Sequence, residues 1–164
     1  MDSYIEKLEL EWAHQRPDLD AQTIATTMRL QLLNKSLTDA ASEAVAAKDL
    51  EWWEYDTLSA LLRSGQPYQM YASDLARSNM LSTGAMTNRL DGLEDRGLIQ
   101  RKADRADRRR TIIQLTLAGR KLVEKAAGSR FQSADAILQN LDDGERRQLD
   151  QLLDKLLSRD KRKD

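Results

Sequence analysis

The sequence predicts a mainly α-helical fold with one small β-hairpin, on three observations. Only 2 of the 164 residues are proline and 7 are glycine, too few turn formers for a sandwich of many short strands. Apolar residues recur at three- and four-residue spacing along most of the chain. The exception follows Gly97, where Leu98-Ile99-Gln100-Arg101-Lys102 and Thr111-Ile112-Ile113-Gln114-Leu115 form two short β-branched-rich runs around a polar stretch. With 40% hydrophobic residues, a chain of this length can bury one continuous core.

Taken in order, Ser3 is the expected cap of a first helix reaching His14, and Pro17-Asp18-Leu19-Asp20 breaks the chain before a second. From Ala21 to about Ala47 the residues Leu30, Leu33, Leu37, Ala40 or Ala41, and Ala44 keep helical spacing. That helix would be about 40 Å long at ~1.5 Å per residue. It is longer than a compact domain of this size needs, so part of it is expected to pack on a second subunit. Trp52 to Arg63 is a third helix, ended by Ser64-Gly65-Gln66-Pro67. Ser73 to Ser78 is a short helix, and after Asn79-Met80-Leu81 a longer one begins at Ser82, its Met86, Leu90 and Leu93 on one face until Gly97 stops it. Two helices joined by so short a turn make a helix-turn-helix. The hairpin follows, with Ala103 to Arg110 as its polar stretch. Thr116 then caps a long helix to about Leu138, and Asp142 with Glu145 opens a last one through Leu149, Leu152, Leu153, Leu156 and Leu157.

Several chemistries are excluded by composition. With 0 cysteines there is no disulfide, thiolate zinc site, nucleophilic thiol or thiol-based peroxide sensor. His14 is the only histidine, so one subunit cannot build a histidine metal cluster or a catalytic triad. No glycine-rich phosphate loop occurs, and Asp142-Asp143 sits where a helix N-terminus favours negative charge without any catalysis. The expectation is therefore no enzyme, no cofactor and no metal. The N-terminal residues lack a basic region followed by an apolar run, and nowhere do 18 apolar residues follow one another, so a cytoplasmic protein without a membrane partner is expected.

A net charge of −1 hides an asymmetry. Residues 1–56 carry 5 basic and 12 acidic side chains, residues 57–120 carry 11 and 6, and the remainder carries 10 and 9. The basic block coincides with the helix-turn-helix and hairpin, as it would in a protein that meets a polyanion with one face. If Met86, Leu90 and Leu93 face inward, then Thr83, Gly84, Thr87 and Asn88, with Ser82 at the cap, turn outward or to the flank. They are small or hydrogen-bonding, suited to base edges and phosphates of a major groove. The hairpin loop holds Arg105, Arg108, Arg109 and Arg110, far more basic than turn geometry requires, and guanidinium suits a narrow minor groove. A two-stranded ribbon after a recognition helix makes the lobe a winged helix. Double-stranded DNA is the expected partner; the alternative is a winged helix that docks a protein, its arginines merely solvated.

These residues also carry a resemblance. Ser73-Asp74-Leu75-Ala76, Thr87-Asn88-Arg89-Leu90, Leu93-Glu94-Asp95-Arg96-Gly97-Leu98-Ile99-Gln100-Arg101, Asp107-Arg108-Arg109 and Leu115-Thr116-Leu117-Ala118-Gly119-Arg120 resemble the MarR regulators from about Leu50 to Arg120. The resemblance implies a winged helix-turn-helix in an intertwined homodimer, bound as a repressor to an inverted-repeat operator and found on the nucleoid when DNA-bound. It divides one compact domain into N-terminal helices over 1–48 (an extra helix plus a dimerisation helix), a DNA-binding lobe over 49–120 and C-terminal dimerisation helices over 121–164.

A narrower likeness, Glu11-Trp12-Ala13-His14-Gln15-Arg16-Pro17-Asp18-Leu19-Asp20, is to the urate-responsive branch, which carries that extra helix. Carried over residue by residue, its ligand site falls on Trp12, Asp56, Arg89 and Arg101. A planar anion such as urate or another purine needs a flat apolar face, cations, and an acceptor for its ring N–H groups, which these four side chain types supply. A phenolic compound or small carboxylate is the alternative effector, and Trp52-Trp53 and Tyr55 add bulk near the site. The implied mechanism is that an anion on Arg89 disturbs its pairing with Asp56 and moves the recognition helices out of register with the DNA.

Overall fold

The computed structural model describes residues 2–104, 106–107 and 109–160, and forms two compact units, Met1–Glu43 and Ala44–Asp164. In the first, α1 (Asp2–Gln15) is followed by α2 (Ala21–Ala46), whose last residues belong to the second unit. Helix α1 already includes Asp2, so Ser3 lies inside it rather than capping it. Asp20 caps α2 as expected, accepting from the backbone N–H of Gln22 at 3.1 Å and of Thr23 at 3.3 Å. Its carboxyl is held below the ordinary range by the Thr23 hydroxyl and these amides. Ile5, Ala21, Ala25 and Ala41 are buried, whereas Leu10, Trp12, Ile24, Leu30 and Leu33 are exposed.

The second unit contains α3 (Trp52–Arg63), β1 (Gln69–Tyr71), α4 (Ala72–Ser78), α5 (Thr83–Asp95), β2 (Ile99–Ala103), β3 (Thr111–Leu115), α6 (Leu117–Leu138) and α7 (Asp143–Asp160). Its antiparallel sheet has the order β1-β3-β2, with Ile99 opposite Leu115, Ala103 opposite Thr111, and Tyr71 opposite Ile112. The strand β1 was not expected from the sequence. Leu58, Leu61, Leu75, Met86, Leu93, Ile113 and Val123 are fully buried in one core that joins α3, α4, α5, the sheet and α6.

Two chain reversals fix this lobe. After α5 the amide of Gly97 donates to Glu94 O at 2.8 Å and that of Leu98 to Leu93 O at 2.9 Å, with Gly97 at φ +67°. This is a Schellman stop, and the buried pair Leu93 and Leu98 closes it. Leu98 is spent on this cap, which is why β2 begins one residue later than the hydrophobic run. At the start of α6 the Thr116 side chain accepts from Gly119 N at 3.0 Å and donates to Gly97 O at 2.7 Å. A Cβ on Gly119 would stand 1.9 Å from Leu98 O, so only glycine lets α6 begin this close to the end of the recognition helix.

Candidate nucleic-acid interface

Helix α5 presents its polar face as its periodicity requires. Met86, Leu90 and Leu93 are at most 2% exposed, and Ser82, Thr83, Gly84, Thr87 and Asn88 are all exposed. The Ser82 hydroxyl accepts from Ala85 N at 3.3 Å, and Thr87 Oγ1 donates to Thr83 O at 3.0 Å. No heavy atom stands within 4 Å of a Cβ built on Gly84, so packing does not demand glycine there, and a close-approaching ligand would.

The turn before α5 is anchored from beneath: Asn79 Nδ2 donates to the buried Thr57 Oγ1 at 3.0 Å. Met80 takes the left-handed position at φ +51° while Leu81 N donates to Ala76 O at 2.9 Å, the same stop that ends α5, here built on a methionine. Beneath both helices the buried Glu54, three residues into α3, accepts from Glu51 N at 2.9 Å and pairs with Arg96 at 2.6 Å. Arg96 also donates to Asp49 O at 2.7 Å. Arg96 caps α5, so this pair ties the far end of the recognition helix to α3.

The hairpin arginines differ. The side chain of Arg109 is 92% exposed, held loosely by Asp107 at 3.2 Å. Arg110 sits over Tyr71, its guanidinium carbon 3.4 Å from the ring centroid. Tyr71 in turn donates its hydroxyl to Asp104 Oδ2 at 2.8 Å. The Ala106 amide and the Tyr71 hydroxyl hold the Asp104 carboxyl below the ordinary carboxylate range, while that same hydrogen bond raises Tyr71 above the usual phenol value. Arg105 and Arg108 lie outside the described residues.

Of the four expected ligand residues, three belong to the second unit and are engaged separately. Arg89 stacks on Trp53, 5.5 Å from the ring centroid, and among the described residues no ion pair joins it to Asp56, contrary to expectation. The physical reason is that Trp53 occupies the side of α3 facing Arg89. Asp56 instead lines a cleft between α3 and α6. Arg101 bridges β2 to α5, 2.6 Å from Asp91 and 3.4 Å from Glu94, and donates to Thr87 O at 3.3 Å. Trp12 is on α1 in the first unit, 44% exposed. The cleft holding Asp56 has a volume of about 380 Å³ and is lined also by Trp52, Tyr55, Arg63, Arg130 and Phe131. Tyr71, Asp104 and the Glu54–Arg96 pair were not singled out from the sequence, and Trp53 was noted there only for its bulk; each acts through a partner at least 33 residues away.

Among the described residues no group of His, Cys, Asp or Glu could hold a metal ion, and no helix is long and apolar enough to cross a membrane.

A family model described as the MarR family matches residues 48–110, which include α3, the helix-turn-helix and most of the hairpin. The chain is 33% identical over 159 residues to the HTH-type transcriptional regulator PecS of Dickeya dadantii (strain 3937), covering 93% of each protein. It is 24% identical over 149 residues to the HTH-type transcriptional repressor YetL of Bacillus subtilis (strain 168), covering 91% of this chain and 89% of YetL. The S. aureus MepR-DNA complex aligns with a TM-score of 0.67 at 26% identity, over 80% of this chain and 96% of MepR. AbsC, a MarR family transcriptional regulator from Streptomyces coelicolor, aligns with a TM-score of 0.71 at 23% identity, over 86% and 95%, a likeness of fold.

Proposed function

The chain belongs to the MarR family, DNA-binding transcriptional regulators rather than enzymes, and from that premise we propose that it acts in the cytoplasm as a homodimeric repressor of an inverted-repeat operator, released by a small aromatic anion. The observation that carries the DNA reading is the outward face of α5, with Gly84 open and Thr83, Thr87 and Asn88 exposed, followed in sequence by a hairpin whose Arg109 stands in solvent with only Asp107 beside it. The likeness to S. aureus MepR, 26% identical and solved in complex with DNA, supports it.

Dimerisation is supported by the apolar surface that each unit leaves uncovered. Leu152, Leu153, Leu156 and Leu157 on α7 are 37–65% exposed, and Ile24, Leu30 and Leu33 on α2 are 38–46% exposed. A monomer would keep these side chains in water, and a second copy would bury them at about 25 cal/mol per Å².

The effector reading rests on Arg101 and Arg89. Arg101 links β2 to α5 through Asp91 and Glu94, and a competing anion that draws its guanidinium away would loosen the wing from the recognition helix. Arg89, on α5 itself and stacked on Trp53, is the second cation. Urate or a related purine is the leading effector. A second reading places a phenolate or aromatic carboxylate in the α3–α6 cleft, where Arg63 and Arg130 supply charge and Trp52, Tyr55 and Phe131 supply flat faces beside Asp56.

Melting temperatures with urate, xanthine, salicylate and a neutral control solute test this. A ligand at about one hundred times its dissociation constant adds ~2.7 kcal/mol to the folded state. Arg89→Ala should abolish a urate shift, whereas Arg130→Ala should abolish a salicylate shift bound in the cleft. Stabilisation by none of them removes the effector half of the reading.

A further inference from the structure

The wing is a hairpin of two five-residue strands, and the third strand supports only its inner part. β1 ends at Tyr71, opposite Ile112, so the outermost rung, Ala103 with Thr111, has no neighbour beyond β3. Isolated two-stranded hairpins are marginal in water. The Tyr71 side chain continues the support where its strand stops. Its hydroxyl reaches Asp104, and its ring carries Arg110, the two residues that bracket the wing loop and are joined to each other by Asp104 N donating to Arg110 O at 3.1 Å. Asp104 Oδ1 also accepts from Ala106 N at 2.8 Å. Tyr71 immediately precedes α4, the first helix of the helix-turn-helix, and occupies its N-cap position.

Resting on the DNA-binding reading above, we propose that Tyr71, Asp104 and Arg110 are positioning residues that set the pitch of the wing against the helix-turn-helix, leaving Arg109 as the adjacent cation that meets phosphate. Arg110 is the less available of the two, because its guanidinium face is covered by the phenol ring while the Arg109 side chain stands in solvent. The minor groove is only about 6 Å wide, so a hairpin tip that swings by a few ångströms loses its contact. A tyrosine without charge therefore governs how many phosphates the wing engages.

The test is the salt dependence of affinity for a fluorescein-labelled duplex of about 30 mixed-sequence base pairs, in which each lost phosphate contact lowers the slope of log K against log salt by about 0.9. In the homodimer the substitution acts on both wings, so Arg109→Gln should lower the slope by about 1.8. Tyr71→Ala should do the same although it removes no charge, and Arg110→Gln added to Tyr71→Ala should lower it no further. Tyr71→Phe keeps the stacked ring but loses the hydroxyl, should fall between wild type and Tyr71→Ala, and carries the comparison should Tyr71→Ala fail to fold. An unchanged slope in Tyr71→Ala, or an additive loss in the double variant, overturns the brace and makes Arg110 a phosphate contact. A wild-type slope near zero overturns the DNA reading itself.

Discussion

Arg96, the residue that closes the recognition helix, stands 2.6 Å from the carboxylate of Glu54, which is 3% exposed and also caps α3 through Glu51 N. A buried carboxylate with one cation and one amide is stabilising only while both remain. Removing the cation leaves the buried Glu54 carboxyl without its ion-pair partner. Arg96→Met should therefore cost ~3 kcal/mol, a drop of roughly 10 °C in melting temperature. A melt within about 1 °C of wild type would show that the pair is not holding α5 to α3.

Met80 carries the left-handed turn between α4 and α5 at φ +51° and is 94% exposed, so its side chain contributes no packing to offset the backbone cost. Met80→Gly should raise stability by about 0.5–1 kcal/mol, and Met80→Val should lower it by at least ~1 kcal/mol, because a β-branched residue tolerates that region worst. Urea titration of the two variants measures both, and equal midpoints would contradict the argument.

Gly84 and Gly119 should respond oppositely to alanine. At Gly119 the new methyl collides with Leu98 O, and loss of ~2–3 kcal/mol is expected. At Gly84 nothing is in the way, so Gly84→Ala should stabilise the helix by ~0.5 kcal/mol while weakening duplex binding about tenfold, since on the proposed DNA-binding reading the methyl would stand where the backbone approaches the groove. Calorimetric melting alongside fluorescence anisotropy separates the two effects; unaltered duplex affinity in Gly84→Ala would place the groove elsewhere.

The Tyr71–Asp104 bond sets a pH window. Asp104 is depressed, so its contribution is present above the ordinary carboxylate range and is lost as pH falls through the lower folded value. Tyr71 is raised, chiefly by Asp104, with Asp74 acting in the same direction and Arg110 against; its contribution is present below about pH 10 and is lost as pH rises through the higher folded value. Absorbance of tyrosinate should show one of the 4 tyrosines ionising late, and Asp104→Ala should remove that delay. Simultaneous ionisation of all four in wild type would contradict the bond.

The helices were legible because each has a local signal. Asp20, Ser82 and Thr116 cap the helices that follow them, and Met86, Leu90 and Leu93 share a face because their spacing compels it. β1 was not legible: three residues, Gln69-Met70-Tyr71, are too few to show alternation, and they become a strand only by pairing with β3, more than 40 residues on. The site divides the same way. The outward residues of α5 follow from periodicity. The division of labour between Arg109 and Arg110 does not, since neighbours in a charged loop differ only by which one a distant tyrosine covers. For Arg89 and Asp56, helix geometry indicated direction but not partner, and Trp53 took the cation.

The central claim is that two copies of α5 face consecutive major grooves with an Arg109-bearing wing beside each. Selection of duplexes from a randomised pool by the purified full chain tests it most directly. The account predicts recovered sequences with two-fold symmetry, half-sites about one helical turn apart, and a changed half-site preference for Asn88→Ala. Recovery of unsymmetrical single sites, or of no enriched sequence at low salt, would contradict it.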